Sequence, residues 1–359
     1  MTQQAGTTGP TTGPGTGPGT GPSTGPSTGP STGPSAGPAT GRGRKLAAIV
    51  VGLAAVVVVM LCAFALPSIN SGPHDLPVGV TGPEKATAAV SESLKGDAWD
   101  VTAYETESDL KSAIENRDVM GGIVLAPGQV TAYTASAGGP QGAATLTGTA
   151  TALAGRQQAD ITVTDLKPFP EDDPRGAGFA AATLPMIFGG MFPAVLLSRL
   201  FPGHSGLRLR AVGGAVFALV AGFAVTAFLQ YGTGSLDGDY LVTALGMSLG
   251  MAALVMTLLG LESLFGLPGF GLGAAVVMLL GNPLSGLASG PHWLPDGWAA
   301  FGQLLPPGAA GSLLRANAFF DGTSAGAPAL VLACWALLGL ALLFAGDLRG
   351  RRATQAAAL

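Results

Sequence analysis

Residues 267–298 read LPGFGLGAAVVMLLGNPLSGLASGPHWLPDGW. The first 14 residues carry no charge. As a helix they reach about 21 Å, short of the ~30 Å hydrocarbon core of a bilayer. The run crosses only with help from the following GNPLSG, or by tilting with local thinning of the bilayer. Whether it counts as a span decides how many times the chain crosses and on which side each loop lies. Asn282-Pro283 is expected to end it, because proline disfavours helix in the residue before it.

The rest of the chain supplies the context. Of its 359 residues, 48% are hydrophobic and only 11% are charged, against about 25% charged in an ordinary soluble domain. Five other apolar runs are present: 46–65, 179–201, 211–231, 241–261 and 327–346. The first, LAAIVVGLAAVVVVMLCAFA, is 20 residues long and matches a bilayer core. Ala63-Phe64-Ala65 resembles a signal-peptidase site, yet the apolar run exceeds a signal-peptide core, so it is read as a retained anchor.

Lysine and arginine sort these runs. With six spans and both termini inside, one side holds Arg42, Arg44, Lys45, Arg199, Arg208, Arg210, Arg349, Arg351 and Arg352. The short loops of the other side hold only Arg315, beside Asp237, Asp239, Asp296 and Asp321. Deleting any one span breaks this pattern, and basic residues concentrate in short cytoplasmic loops. The expected architecture is an α-helical polytopic protein of six transmembrane helices in the cell membrane, with N- and C-termini cytoplasmic. Residues 42–69 form the first span, 179–346 a five-helix membrane domain, and 347–359 a basic cytoplasmic tail.

Residues 70–178 differ in kind. They hold 15 of the 21 acidic residues and 7 of the 17 basic ones. Strand patterns at 76–80, 99–104, 121–126, 129–135 and 161–166 alternate with helical ones at 83–95, 108–119 and 142–158. Threonines and glycines weaken the last helix. The segment reads as an extracytoplasmic α/β domain between the first and second spans. Residues 1–41 repeat Thr-Gly-Pro with proline every four residues from Pro10 to Pro38. With almost no apolar side chains they read as a disordered cytoplasmic tail.

On this topology residues 281–322 face outward. They read as one or two short helices dipping into the outer leaflet, or as a plain external loop. Chain leaves the helical ladder at membrane depth only where protein or water covers it. Trp293 and Trp298 suit the headgroup level, a second short helix is expected after Pro306-Pro307, and Arg315 is expected to snorkel to water.

One span, a large outer domain, then five spans with a re-entrant outer segment resembles the type-2 ATP-binding-cassette permeases. NPLSG and HWLPDGWAAFGQLLPPGAAGSLLR are similar to that family's proline-rich region before the last span. FPEDDPRGAGFAAATLPM resembles the junction in its subgroup close to the phage-infection-protein-like membrane proteins. The resemblance covers about residues 45–350. It implies the membrane-spanning subunit of an exporter, pairing as a homodimer or heterodimer with a second permease. ATP and Mg are then bound by a separate ATP-binding-cassette ATPase subunit, which docks on the loop between the second and third spans. Here that loop is PGHSGLRLR, 202–210, with His204, Arg208 and Arg210 as candidate coupling residues. The plainer reading keeps Arg208 and Arg210 as topology charges. Asn282, Pro283, Trp293, Pro295, Trp298, Pro306, Pro307 and Arg315 are candidates for the outer gate. The alternative function is a non-transporting membrane protein that displays residues 70–178 as a surface receptor or secretion accessory.

Other chemistry finds little support. No Walker-A pattern G-x-x-x-x-G-K-[ST] is present, so no ATPase or other enzyme is expected in this chain. HExxH, CxxC and EF-hand patterns are absent, and His74, His204 and His292 are too scattered to suggest a metal. GTSAG at 322–326 matches a nucleophile elbow in spelling, but it lies in a glycine-rich loop, so Ser324 is not expected to be catalytic. A net charge of −4 without a basic stripe argues against a nucleic-acid partner. Cys62 and Cys334 lie in apolar runs and read as small hydrophobes. Glu262, near the inner end of the fourth span, is expected to pair or cap at the interface. Gly246-x-x-x-Gly250 and Gly269-x-x-x-Gly273 permit close helix approach, within the chain or at a homodimer seam. Met247, Met251 and Met256 read as adaptable packing.

Overall fold

A computed structural model describes residues 13, 15, 39–69, 72–286, 290–294 and 297–357. Most of the Thr-Gly-Pro tail, together with Pro295 and Asp296, lies outside the described residues. The chain divides into two compact units, 1–54 and 55–359, with the division inside the first helix, α1 (Ala39–Ile69). α1 begins three residues before Arg42, within what the composition assigns to the tail. Val56 to Val59 is a β-branched run of modest helix propensity in water. In hydrocarbon a helix satisfies every backbone group internally, which overrides that preference.

Within the second unit, residues 76–165 form a five-stranded mixed sheet in the order β2-β1-β3-β4-β5. The strands are β1 (Leu76–Thr81), β2 (Trp99–Ala103), β3 (Gly121–Ala126), β4 (Gln129–Thr134) and β5 (Asp160–Asp165). β1 runs parallel to β2 and β3, β4 is antiparallel to β3, and β5 is parallel to β4. Helices α2 (Glu84–Ser93), α3 (Glu107–Glu115) and α4 (Pro140–Gln157) make the parallel crossovers. The β3–β4 turn is Pro127-Gly128, and Gly128 takes φ +74, where a side chain would be strained.

The two faces of the sheet do different work. Leu76, Val78, Val80, Ile123 and Leu125 face Val90 and Leu94 at α2 and Leu146, Ala150 and Ala154 of α4. α4 forms despite its threonines because Leu146, Ala150 and Ala154 bury against the sheet, while Thr145, Thr147, Thr149 and Thr151 each donate to the carbonyl four residues back. On the other face α3 drives Leu110 over Gly79 and Gly122, where a β-carbon would lie 2.1 and 2.5 Å from it. Leu110 and Ile114 belong to one buried cluster with Phe179, Met186, Met247, Met251 and Leu313 of the helical part. The sheet is therefore packed onto the helices through a shared core.

The helical part contains α5 (Ala177–Ala181), α6 (Thr183–Leu200), α7 (Leu207–Ala227), α8 (Tyr240–Phe265), α9 (Leu267–Val276), α10 (Asn282–Leu284), α11 (Trp298–Leu304), α12 (Pro306–Phe319) and α13 (Gly326–Ala357). Among the described residues, six helical stretches are long and apolar enough to cross a membrane: 43–62, 177–200, 204–232, 240–265, 267–284 and 326–352. α8 is the centre, with 15 of its 26 residues buried. Its neighbours approach through small residues. A β-carbon at Gly190 would meet Leu254, one at Gly222 would meet Ser248, and one at Gly339 would meet the Met256 backbone. Outward-facing positions are apolar instead of polar: Phe192, Leu196, Val212, Val220, Leu272 and Leu337 are all exposed. A belt of this kind marks contact with an apolar phase.

Asn282-Pro283 does not end the fifth stretch. A π turn over Val277–Gly281 precedes it, and helix continues to Leu284. Pro283 lacks an N–H and crowds the carbonyl four residues back, and the wider π turn accommodates both. α13 runs on through the basic residues after 346 to Ala357.

Candidate functional site

Two clusters of polar residues meet α8 at positions well separated along it, one at Glu262 and the other between Val242 and Gly250, about 18–30 Å apart at 1.5 Å per residue. The first surrounds the loop between α6 and α7. Leu200 ends α6, and Gly203 takes φ +72, which lets the chain reverse into the short turn His204–Gly206. His204 Nδ1 lies 2.8 Å from the Asp347 carboxylate. Arg351, one helical turn beyond Asp347 on α13, donates Nε–H to the same carboxylate at 3.0 Å. With Nδ1–H given to Asp347, His204 Nε2 accepts from Arg351 Nη2 at 2.5 Å. The Asp347 side chain is buried while His204 is exposed, so the pair anchors the loop to the end of α13.

Arg210 anchors the other side. It is only 6% exposed, its Nη2 donates to the Gly203 carbonyl at 3.3 Å, and its Nη1 stands 3.7 Å from Glu262 on α8. Glu262 thus pairs as its position leads one to expect. Arg208, between these anchors, is exposed and has neither a hydrogen bond nor an ion pair among the described residues. A cavity of about 550 Å³ opens between Gly203, Arg210, Glu262, Asp347 and Arg351. The three candidate residues of the loop therefore divide into two structural anchors and, among the described residues, one cation without a partner.

No protein-family model, curated protein or solved structure matches this chain. Its functional reading rests on its own geometry.

The second cluster is the segment 281–322, which packs on the same helix. Among the described residues it forms α10, a short turn Pro291–Trp293, α11 and α12. Leu305 is extended before Pro306, and Pro306-Pro307 open α12 as the sequence predicts. Thirteen of the 14 residues of α12 are buried. Gly246 of α8 abuts Asn317, whose Nδ2 donates to the Val242 carbonyl at 3.1 Å, and Gly250 abuts Ala310. A β-carbon at Gly281 would lie 2.8 Å from Pro307. Gly269 and Gly273 pack on Leu261 of α8. These glycine pairs serve packing inside the chain.

Gln303 stitches the segment together. Its Nε2 donates to the Ser285 carbonyl at 3.1 Å, and its Oε1 accepts from Ser312 at 2.5 Å. Trp335 of α13 donates to the Leu304 carbonyl at 2.8 Å. Trp298 is partly exposed, whereas Trp293 packs against the core of the sheet. The His292 carbonyl accepts from the His74 N–H at 2.9 Å, and burial lowers the His292 imidazole below its usual pKa against the raising effect of His74 and Asp75.

Arg315 does not snorkel to water. It is 4% exposed and lies over the Phe179 ring, 4.9 Å from its centroid. α12 is covered by α8, α6 and the sheet domain, so no side of it reaches solvent at this position. An aromatic face takes the place of water beside the cation. Ser324 follows α12 in a turn leading to α13 with no strand before it. Asp347, the buried partner of His204, is not marked by the sequence reading, and Arg351 is marked there only as a topology charge. Their signal was an acidic residue four positions before a basic one at the end of the last apolar run.

Proposed function

We propose that this chain is the membrane-spanning subunit of an ATP-driven exporter, with ATP and Mg bound by a separate ATPase subunit. The observation that carries the reading is a mechanical one. The loop 202–210 is pinned by Arg210–Glu262 to one end of α8 and by His204–Asp347 to α13. The N-terminal half of α8 is packed through Gly246 and Gly250 into α12. A push on the loop is thereby passed along a buried helix to the segment packed there. Arg208 is the exposed cation on which an acidic docking surface would bear.

The charge distribution supports the orientation. Arg199, Arg208, Arg210, Arg349, Arg351 and Arg352 share the loop end, which is assigned to the cytoplasm. The sheet domain is then extracytoplasmic, and α12 forms the outer gate. The permease works as a dimer around an apolar path suited to lipidic or amphipathic cargo.

The test is co-purification from the native host followed by ATP hydrolysis in the detergent complex. An ATPase subunit is expected to accompany the wild-type chain, and Arg208→Glu is expected to reduce its recovery about tenfold, the equivalent of roughly 1.4 kcal/mol. A display role is favoured by one feature, the exposed edge strand β5 with Ile161 and Val163 facing outward. It predicts a stable chain that never brings down an ATPase, and that outcome would end the exporter reading.

A further inference from the structure

β5 is the last strand of the sheet and is hydrogen-bonded on one side, to β4. Its Ile161 and Val163 are 37% and 46% exposed, and among the described residues of 76–165 they are the large hydrophobic side chains left exposed. Val130 and Ala132 of β4 stand beside them in register, so both point to the α4 face. Open edge strands are usually blocked by lysine, proline or a bulge. β5 reads DITVTD, and its register with β4 is unbroken.

The pairing with β4 fixes which backbone groups are free. Asp160 and Leu166 donate their N–H groups to the Gly128 and Thr134 carbonyls at 2.9 and 2.8 Å. Backbone direction alternates along a strand. Thr162 and Thr164 therefore also face β4, while Ile161 and Val163 present N–H and C=O to the open edge.

We infer that β5 pairs antiparallel with β5 of a second copy of this chain, joining two sheets into one. The helical part packs on the α3 face of the sheet. A two-fold axis normal to the sheet makes the two strands antiparallel and keeps both helical parts on that face, as two copies in one bilayer require. An axis along the strands makes them parallel and turns the helical parts to opposite faces. The register follows from the free groups, because hydrogen-bonded pairs must join edge-facing residues. Centred on Thr162, the pairing sets Ile161 opposite Val163 of the second copy, and the reverse. It also sets Asp160 opposite Thr164, so no acid faces an acid. Centred on Val163, it would set Ile161 against Asp165. Centred on Ile161, it would bring Val163 to Ala159, whose N–H is spent on the Ala154 carbonyl. The register at Thr162 alone covers the exposed apolar pair with its own complement. The contact requires two copies in one membrane and no ATPase.

The test is disulfide cross-linking of the full chain in native membranes, in a Cys62→Ala, Cys334→Ala background, with copper-phenanthroline as oxidant. Thr162 and its mate form a non-hydrogen-bonded pair with Cα atoms about 4.5 Å apart, inside the roughly 4.4–6.8 Å that a disulfide spans. Thr164 lies two residues from the axis, which puts its mate about 14 Å away. Both threonines are exposed, and Thr162 accepts a long hydrogen bond from Gln129 at 3.4 Å, so cysteine at either position leaves the fold intact. Thr162→Cys is expected to give a covalent dimer of two differently tagged copies, and Thr164→Cys about tenfold less. Val163→Lys added to Thr162→Cys sets a charge on the seam and is expected to slow dimer formation about tenfold. The inference is overturned if Thr162→Cys stays monomeric, links only to another protein, or links no faster than Thr164→Cys. It is separable from the exporter reading: failure to recover an ATPase leaves this cross-link in place, and absence of the cross-link leaves ATPase recovery unchanged.

Discussion

His292 shows how much a side chain depends on what folds over it. In the sequence it is one of three scattered histidines. In the structure it lines a cavity with two arginines, and burial depresses its pKa. The sign follows. The unfolded chain binds a proton near the ordinary value of ~6.5, and the folded chain only at lower pH. Stability is therefore full above ~6.5 and falls as pH drops from there toward the folded value. Protonation would also add a third positive charge beside Arg117 and Arg315. The thermal midpoint of the wild type is expected to fall between about pH 7 and pH 5.5 more steeply than that of His292→Gln. Equal slopes would show that His292 titrates freely. Arg315 teaches the same lesson from the other side. Its snorkelling was the reasonable expectation for a cation in an apolar helix, but sequence does not show that α6, α8 and the sheet cover α12.

At the scale of elements the sequence was most legible where periodicity is local. Each of the six apolar runs coincides with a helix, and the alternation over 76–166 reads in the order in which its strands and helices occur. The strand order β2-β1-β3-β4-β5 was not legible, because pairing between distant segments leaves no local period. The π turn before Pro283 was hidden as well, since proline marks strain without showing whether a helix stops or widens. The small-residue spacing announced close approach but not its partner. α9 offers a direct check, because its glycines lie two residues apart on different faces. A β-carbon at Gly269 would lie 2.4 Å from the Leu261 carbonyl oxygen, while one at Gly271 would meet nothing within 4 Å. Gly269→Ala is expected to cost roughly 1–3 kcal/mol through overpacking. Gly271→Ala is expected to be neutral or stabilising by up to about 1 kcal/mol. Denaturation of the two variants in the same detergent makes the comparison, and equal effects would refute the packing of α9 on α8.

At the scale of the whole molecule, the proposed mechanism requires that the loop 202–210 and the sheet lie on opposite sides of a membrane. The contacts that define the loop end join residues far apart in sequence, such as His204 with Asp347, and periodicity alone could not have paired them. What sequence did carry at this scale was the sorting of arginine and lysine, on which the proposed sidedness rests. The most direct measurement is labelling of single cysteines in a Cys62→Ala, Cys334→Ala background with a membrane-impermeant maleimide. Glu84→Cys, exposed on α2 of the sheet domain, should react in intact cells. Arg208→Cys, exposed in the loop, should react only after the membrane is opened. Reaction of both positions in intact cells, or of Arg208→Cys alone, would contradict the account.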